Sequence, residues 1–133
     1  MIIDTSAIIA VANREPEAQA VGARIETEVA QDRLMSSATW LELMIVLDRG
    51  GNPERVGLVE QLLEQWSIGI VAVTAEHARI AREAYRHFGR GGGSGAKLNY
   101  GDCFSYALSR ARREPLLFVG NDFVHTDIQS ALG

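Results

Sequence analysis

The sequence predicts an α/β domain built on a mainly parallel sheet. Short apolar runs of strand length stand at residues 1–3, 33–36, 68–73 and 116–119, and longer stretches of helical pattern separate them. The third observation is length: 133 residues are enough for one domain, residues 1–133, to bury a core without staples.

The first run, MII, stops at Asp4-Thr5-Ser6, where a helix N-cap is expected, and residues 7–12 continue as a helix. Residues 15–31 read as a polar amphipathic helix with Ala20, Ala23 and Val29 among its few apolar positions. After the strand at 33–36, Ser37 or Thr39 can cap a helix over 38–49. That helix carries WLELMIVL and is apolar nearly all round, so it belongs in the centre of a core or against a second chain. Gly50-Gly51-Asn52-Pro53 ends it, and Pro53 opens a helix to about residue 66. The run at 68–73 is mostly β-branched, Thr74 can cap, and 75–88 is a helix. GRGGGSGAK at 89–97 is expected to be an irregular loop. It is not a phosphate-binding P-loop, because no Gly directly precedes Lys97, no Ser or Thr follows it, and a helix leads into it. A helix over 99–113, the strand at 116–119 and a loop through GNDFVHTD complete the chain.

Composition narrows the function classes. The single cysteine, Cys103, cannot form an internal disulfide and belongs to no metal-binding cluster, so it reads as a small core residue in a reducing, cytoplasmic setting. The start, MIIDTSA, lacks the basic region of a signal peptide, and runs such as LMIVL are too short to span a bilayer, so no membrane association is expected. The net charge of -4 argues against a nucleic-acid-coating protein, but it is unevenly placed: -7 over residues 1–78 and +3 over residues 79–133. Basic residues of the second half, including Lys97, Arg110 and Arg113, can flank a polyanion or simply cover solvated helix faces.

The candidate site residues are Asp4, Glu42, Asp102 and Asp122. In open parallel sheets, sites form beyond the carboxyl ends of strands, where Asp4 and Asp122 fall. Glu42 sits in a helix with little polar surface, and a buried unpaired carboxylate must find a cation, a donor or a raised pKa. Asp102 opens the helix of NYGDCFSYALSRARR, but Asn99 is an equally good cap three residues earlier, which leaves the charge of Asp102 to be explained. Gathered at one sheet end, carboxylates about 5 Å apart repel by roughly 3 kcal/mol per pair at an effective dielectric of about 20. Such a cluster needs bound cations or protonation, and oxygen-only ligands select Mg²⁺ or Mn²⁺. The chemistry implied is metal-assisted phosphodiester hydrolysis.

MIIDTSA, the glutamate within the hydrophobic helix, LNYGDCFSYALSR and LLFVGNDFVHTDI together resemble the PIN-domain ribonucleases, in particular the VapC-type toxins of toxin–antitoxin pairs, over the whole chain. The resemblance implies a three-layer α/β/α domain that uses Mg²⁺ or Mn²⁺ to cleave single-stranded or looped RNA. It places Asp4, Asp102, Glu42 and Asp122 as metal-binding, catalytic acids, Ser6 as a hydroxyl near the metal and Asp127 as a recurrent supporting acid. It also implies a homodimer, inhibition by a cognate VapB-type antitoxin, and contact with DNA only through that antitoxin.

Two other phosphoryl-handling folds fit poorly. A receiver domain needs an acidic pair after its first strand, where Asp4 stands alone, and a haloacid-dehalogenase-type phosphatase needs a second Asp where Ser6 stands. The alternative from another class is a non-catalytic PIN-like partner-binding module.

Overall fold

The computed structural model describes all 133 residues. Four parallel strands, β1 (Ile2–Ile3), β2 (Leu34–Ser36), β3 (Gly69–Val71) and β4 (Leu116–Leu117), form one sheet in the order β3-β2-β1-β4. Six helices connect them: α1 (Thr5–Ala12), α2 (Ala18–Thr27), α3 (Ser37–Arg49), α4 (Pro53–Gln65), α5 (Ala75–Phe88) and α6 (Tyr100–Arg112). The parallel α/β architecture read from the sequence is the one observed.

Alternation along the strands builds the layers. Ile3, Met35 and Leu117 join a core cluster with α1–α4 residues such as Ile8, Val21, Leu43, Leu47 and Leu63. Ile2, Leu116 and Phe118 face the other way, onto Ala81, Ala84, Ala107 and Leu108 of α5 and α6. Successive strand residues point to opposite faces, so β1 and β4, short and wholly apolar, each feed both cores at once. From β1 the chain first builds outward through β2 and β3, then returns to place β4 on the other side of β1. Strand order therefore reverses between β1 and β4, and the crevice beyond their carboxyl ends is where such sheets bind ligands.

Several element boundaries differ from the sequence reading. The helix expected over 15–31 is only Ala18–Thr27: Arg14 has a left-handed backbone (φ 53°), Pro16 follows, and Glu28 is extended. Its buried positions are Val21 and Ile25, spaced by one turn, whereas Val29 is exposed. The cap of α3 is Ser36, whose side chain accepts from Ala38 N–H, in place of Ser37 or Thr39. Thr74 caps α5 as expected, and Asn52 caps the helix that Pro53 opens. The glycine loop is tied at its base, where Arg90 N–H donates to Leu98 O (3.1 Å) and Leu98 N–H to Phe88 O (2.9 Å). Gly91 and Gly95 both adopt φ +82°, a conformation that favours glycine.

Helix α3, apolar nearly all round in sequence, is divided in the structure. Thr39, Leu43, Met44 and Leu47 are buried, while Trp40, Leu41, Ile45 and Val46 remain exposed. No helix is long and apolar enough to cross a membrane.

Candidate active site

Asp4 ends β1 and caps α1. It is buried, and both carboxylate oxygens are occupied. Oδ2 accepts from Ser6 N–H (3.0 Å) and Ser6 Oγ–H (2.7 Å), and Oδ1 accepts from Ser105 Oγ–H (2.5 Å). Ser6 Oγ in turn accepts from Val119 N–H (3.0 Å), which joins the cap of α1 to the chain leaving β4. Because Ser105 has one hydroxyl proton and gives it to a carboxylate, Thr39 must be the donor in the 3.0 Å Thr39–Ser105 contact. The result is a buried relay from α3 through α6 to Asp4.

Asp102 occupies the third position of α6 in a reciprocal cap with Asn99. Asn99 Oδ1 accepts from Asp102 N–H (2.8 Å), and Asp102 Oδ2 accepts from Asn99 N–H (3.0 Å). Asn99 is thus the cap, and Asp102 returns the favour with one oxygen only. Burial raises the Asp102 pKa to about 7; the Asn99 hydrogen bond opposes this, and the charges of Asp4, Asp122 and Glu42 add to it. The groups acting on Asp102 include three carboxylates and no cation.

Glu42, half-buried on α3, is shifted upward by burial, against the Thr5 hydrogen bond and with the Asp4 charge. Thr5 Oγ1 donates to Glu42 Oε1 (2.9 Å), and the Glu42 carboxylate lies on the bare Cα of Gly101. A β-carbon at 101 would occupy its place. Asp122 is exposed in the loop after β4, but its neighbour Phe123 is buried and packs on Phe118 (ring centroids 5.1 Å apart), which anchors that loop beside the site.

The structure thus brings Asp4, Glu42 and Asp122 within electrostatic reach of Asp102 at the switch point. They do not form a ready cage, since no three His, Cys, Asp or Glu side chains converge in metal-holding geometry. Their chemistry nevertheless fits a hard divalent cation: the donors are all oxygen, Asp102 keeps one oxygen without a protein donor, and nothing positive balances the group. Magnesium in particular keeps several of its waters and takes only one or two carboxylates, so a closed cage is not required.

The other expected residues lie elsewhere. Asp127 accepts from Tyr106 Oη–H (2.7 Å) and pairs with Arg110 (3.5 Å). Its partners line an open cleft of about 1140 Å³ between α5, α6 and the C-terminal segment, which also includes Arg113 and excludes Asp4, Glu42 and Asp122. Lys97 is exposed at the foot of the glycine loop. Cys103 is buried, donates to Asn99 O (3.2 Å), and has its thiol pushed up to about 11 by burial and then by Asp102, which suits a structural role. Thr5, Thr39, Gly101 and Ser105 support the acids; the sequence points to Thr39 only as a possible helix cap and gives the other three no site role. Their only local signals are adjacency to Asp4 and Asp102 and the three-residue spacings 39/42 and 102/105, which put side chains on one helical face.

A family model described as PIN domain matches residues 1–129. The chain is 45% identical over 131 residues to ribonuclease VapC42 of Mycobacterium tuberculosis, covering 98% of each, and 48% identical over 132 residues to ribonuclease VapC28 of the same organism, covering 99% of this chain and 98% of that one. Among solved structures it is similar to the Mycobacterium tuberculosis VapC20, described as a toxin that cleaves the sarcin-ricin loop, with a TM-score of 0.72, 17% identity, and 96% and 95% of the two chains covered.

Proposed function

Because this chain belongs to the PIN-domain family, we propose that it is the toxin of a toxin–antitoxin pair, a Mg²⁺- or Mn²⁺-dependent endoribonuclease that hydrolyses single-stranded or looped RNA in the cytoplasm. Family membership supports the reaction class. The single observation that carries the residue assignment is that the buried Asp102 feels three other carboxylates, Asp4, Glu42 and Asp122, at the switch point and no cation.

Each residue has a part that its surroundings suggest. Asp4, fixed by Ser6 and Ser105, is a rigid anchor for the ion. Burial makes Asp102 and Glu42 hold a proton more readily than a free carboxyl does, and a bound ion would favour their ionised forms. Asp122, on its exposed loop, completes the donor set from the open side. The chemistry that a bound ion supplies is Lewis acidity, which neutralises charge developing on the phosphodiester and activates water.

Residues 1–133 act as one PIN domain in this reading. The exposed Trp40, Leu41, Ile45 and Val46 of α3 supply the apolar surface for a homodimer, to be checked by light scattering on the purified protein. A VapB-type antitoxin would inhibit the enzyme, with DNA contacted only through it.

Purified protein should cleave RNA with Mg²⁺ or Mn²⁺ and stop when a chelator is added. Folded Asp4→Asn and Asp102→Asn variants that cleave as fast as the parent would sink the assignment. Mapping new RNA ends in total cellular RNA after induced expression then identifies the substrate and its cleavage site.

A further inference from the structure

Tyr100 stands out among the apolar side chains that the fold leaves uncovered. It is 79% exposed, whereas the next most exposed large apolar side chains, Val29, Leu41 and Val124, are each at 52%. Exposure of this degree usually marks a loose loop, but here the backbone is held on both sides. Leu98, two residues earlier, is fully buried, donates to Phe88 at the end of α5 and accepts from Arg90 just beyond it, and the Asn99–Asp102 cap brackets Tyr100 itself.

The ring is also braced. It meets Phe104, one helical turn on, in an edge-to-face contact with centroids 5.0 Å apart and planes at 81°. Its hydroxyl takes part in no hydrogen bond, so the fold makes no use of its polar end.

Position gives this ring its meaning. Tyr100 adjoins Gly101, on which the Glu42 carboxylate rests, and shares the first turn of α6 with Asp102, although two residues apart the side chains leave the helix on different sides. A rigid aromatic surface therefore stands beside the Glu42 flank of the acidic site, with exposed Arg90 and Lys97 on the loop that leads into the same helix. Single-stranded nucleic acids are held by this combination, bases stacking on aromatic faces while cations follow the backbone. Resting on the ribonuclease reading above, we propose that Tyr100 is a nucleobase-stacking platform that seats a base neighbouring the scissile phosphate.

The test uses a labelled single-stranded RNA spanning the mapped cleavage site, bound by the full-length protein carrying Asp4→Asn to prevent turnover. Tyr100→Ala should weaken binding by roughly 5- to 100-fold, and Tyr100→Phe, which keeps the ring, by no more than about twofold. An abasic ribose at one nucleotide flanking the cleaved bond should weaken binding to the Tyr100 protein by a similar factor and leave Tyr100→Ala no worse off. 2-Aminopurine at that nucleotide should be quenched on binding by Tyr100 and Phe, and not by Ala. In the active protein, Tyr100→Ala should raise KM more than it lowers kcat, with melting temperature and Mn²⁺ affinity unchanged. Equal RNA binding by Tyr100→Ala, or a loss that is the same for intact and abasic RNA, overturns the proposal while leaving the ribonuclease reading intact. So does a defect confined to homodimer or antitoxin binding, which would assign the ring to a protein interface. Failure of the parent protein to cleave any RNA overturns both.

Discussion

Replacing Asp102 by Asn should make the metal-free protein more stable, although it removes a residue assigned to the active site. In the folded state the Asp102 pKa is raised from 3.8 to about 7, first by burial. The folded protein therefore binds one more proton than the unfolded chain between these values, and stability falls as pH rises through that window. The penalty is absent below about pH 4, grows to about pH 7, and is then constant. A rise of roughly three pKa units corresponds to an upper limit of about 4 kcal/mol. Asn keeps the shape and can still accept from Asn99 N–H without carrying a charge. Relaxation around the ionised carboxylate reduces the limit, so a gain of about 1 to 3 kcal/mol is expected above pH 7. With an unfolding entropy of about 2.1 cal/mol/K per residue over 133 residues, this is a rise in melting temperature of about 4 to 10 °C. Calorimetric melts in chelator at pH 8 and pH 4.5 read it directly, the difference nearly closing at the lower pH. With Mn²⁺ the order should reverse, because the parent gains binding energy that the variant cannot. An Asn variant that is less stable at pH 8 in chelator, or a difference independent of pH, would refute the reasoning.

Gly101→Ala should keep or slightly raise the melting temperature, since Ala is the better helix former by about 1 kcal/mol, yet cleavage should fall at least about tenfold because the new β-carbon displaces Glu42; initial rates beside melts decide it. Ser105→Ala removes a donor from Asp4 and leaves the buried Thr39 hydroxyl without its acceptor, so a loss of about 1 to 3 kcal/mol is expected in urea unfolding, and a neutral result would remove the relay from consideration. Asp127→Ala should cost about 1 kcal/mol or less by freeing Tyr106 and Arg110, and it should leave the Mn²⁺-induced rise in melting temperature intact, as expected of an acid outside the proposed metal-binding group.

Much of the architecture was legible because strand and helix differ in period and in their stop signals. MII before Asp4, Asn52-Pro53 and Thr74 each marked a boundary that the structure keeps. The misread boundaries had nonlocal causes. Val29 looked like part of the buried face of a long helix, but Val21 and Ile25 alone reach the core and the chain turns extended at Glu28. Local pattern put the cap of α3 at Ser37 or Thr39 and left Ser36 to the strand, although all three have the chemistry; in the structure the extended backbone leaving β2 makes it Ser36.

The sequence by itself determined the parallel α/β class and the division of apolar residues between strands and helices, and it left the charges of Glu42 and Asp102 without an ordinary structural role. Those follow from periodicity and from the cost of burying charge, which are properties of short segments. Only the tertiary structure decided that Asp4, Glu42 and Asp122 all act on Asp102 while Asp127 belongs to a separate cleft. It alone also revealed Thr5, Thr39, Gly101 and Ser105 as the supports of the acids. The physical reason is range. A helix pattern is set by neighbours three or four residues away, whereas the Ser105 hydroxyl meets Asp4 across 101 positions of chain, a contact that exists only once both cores have packed against the sheet.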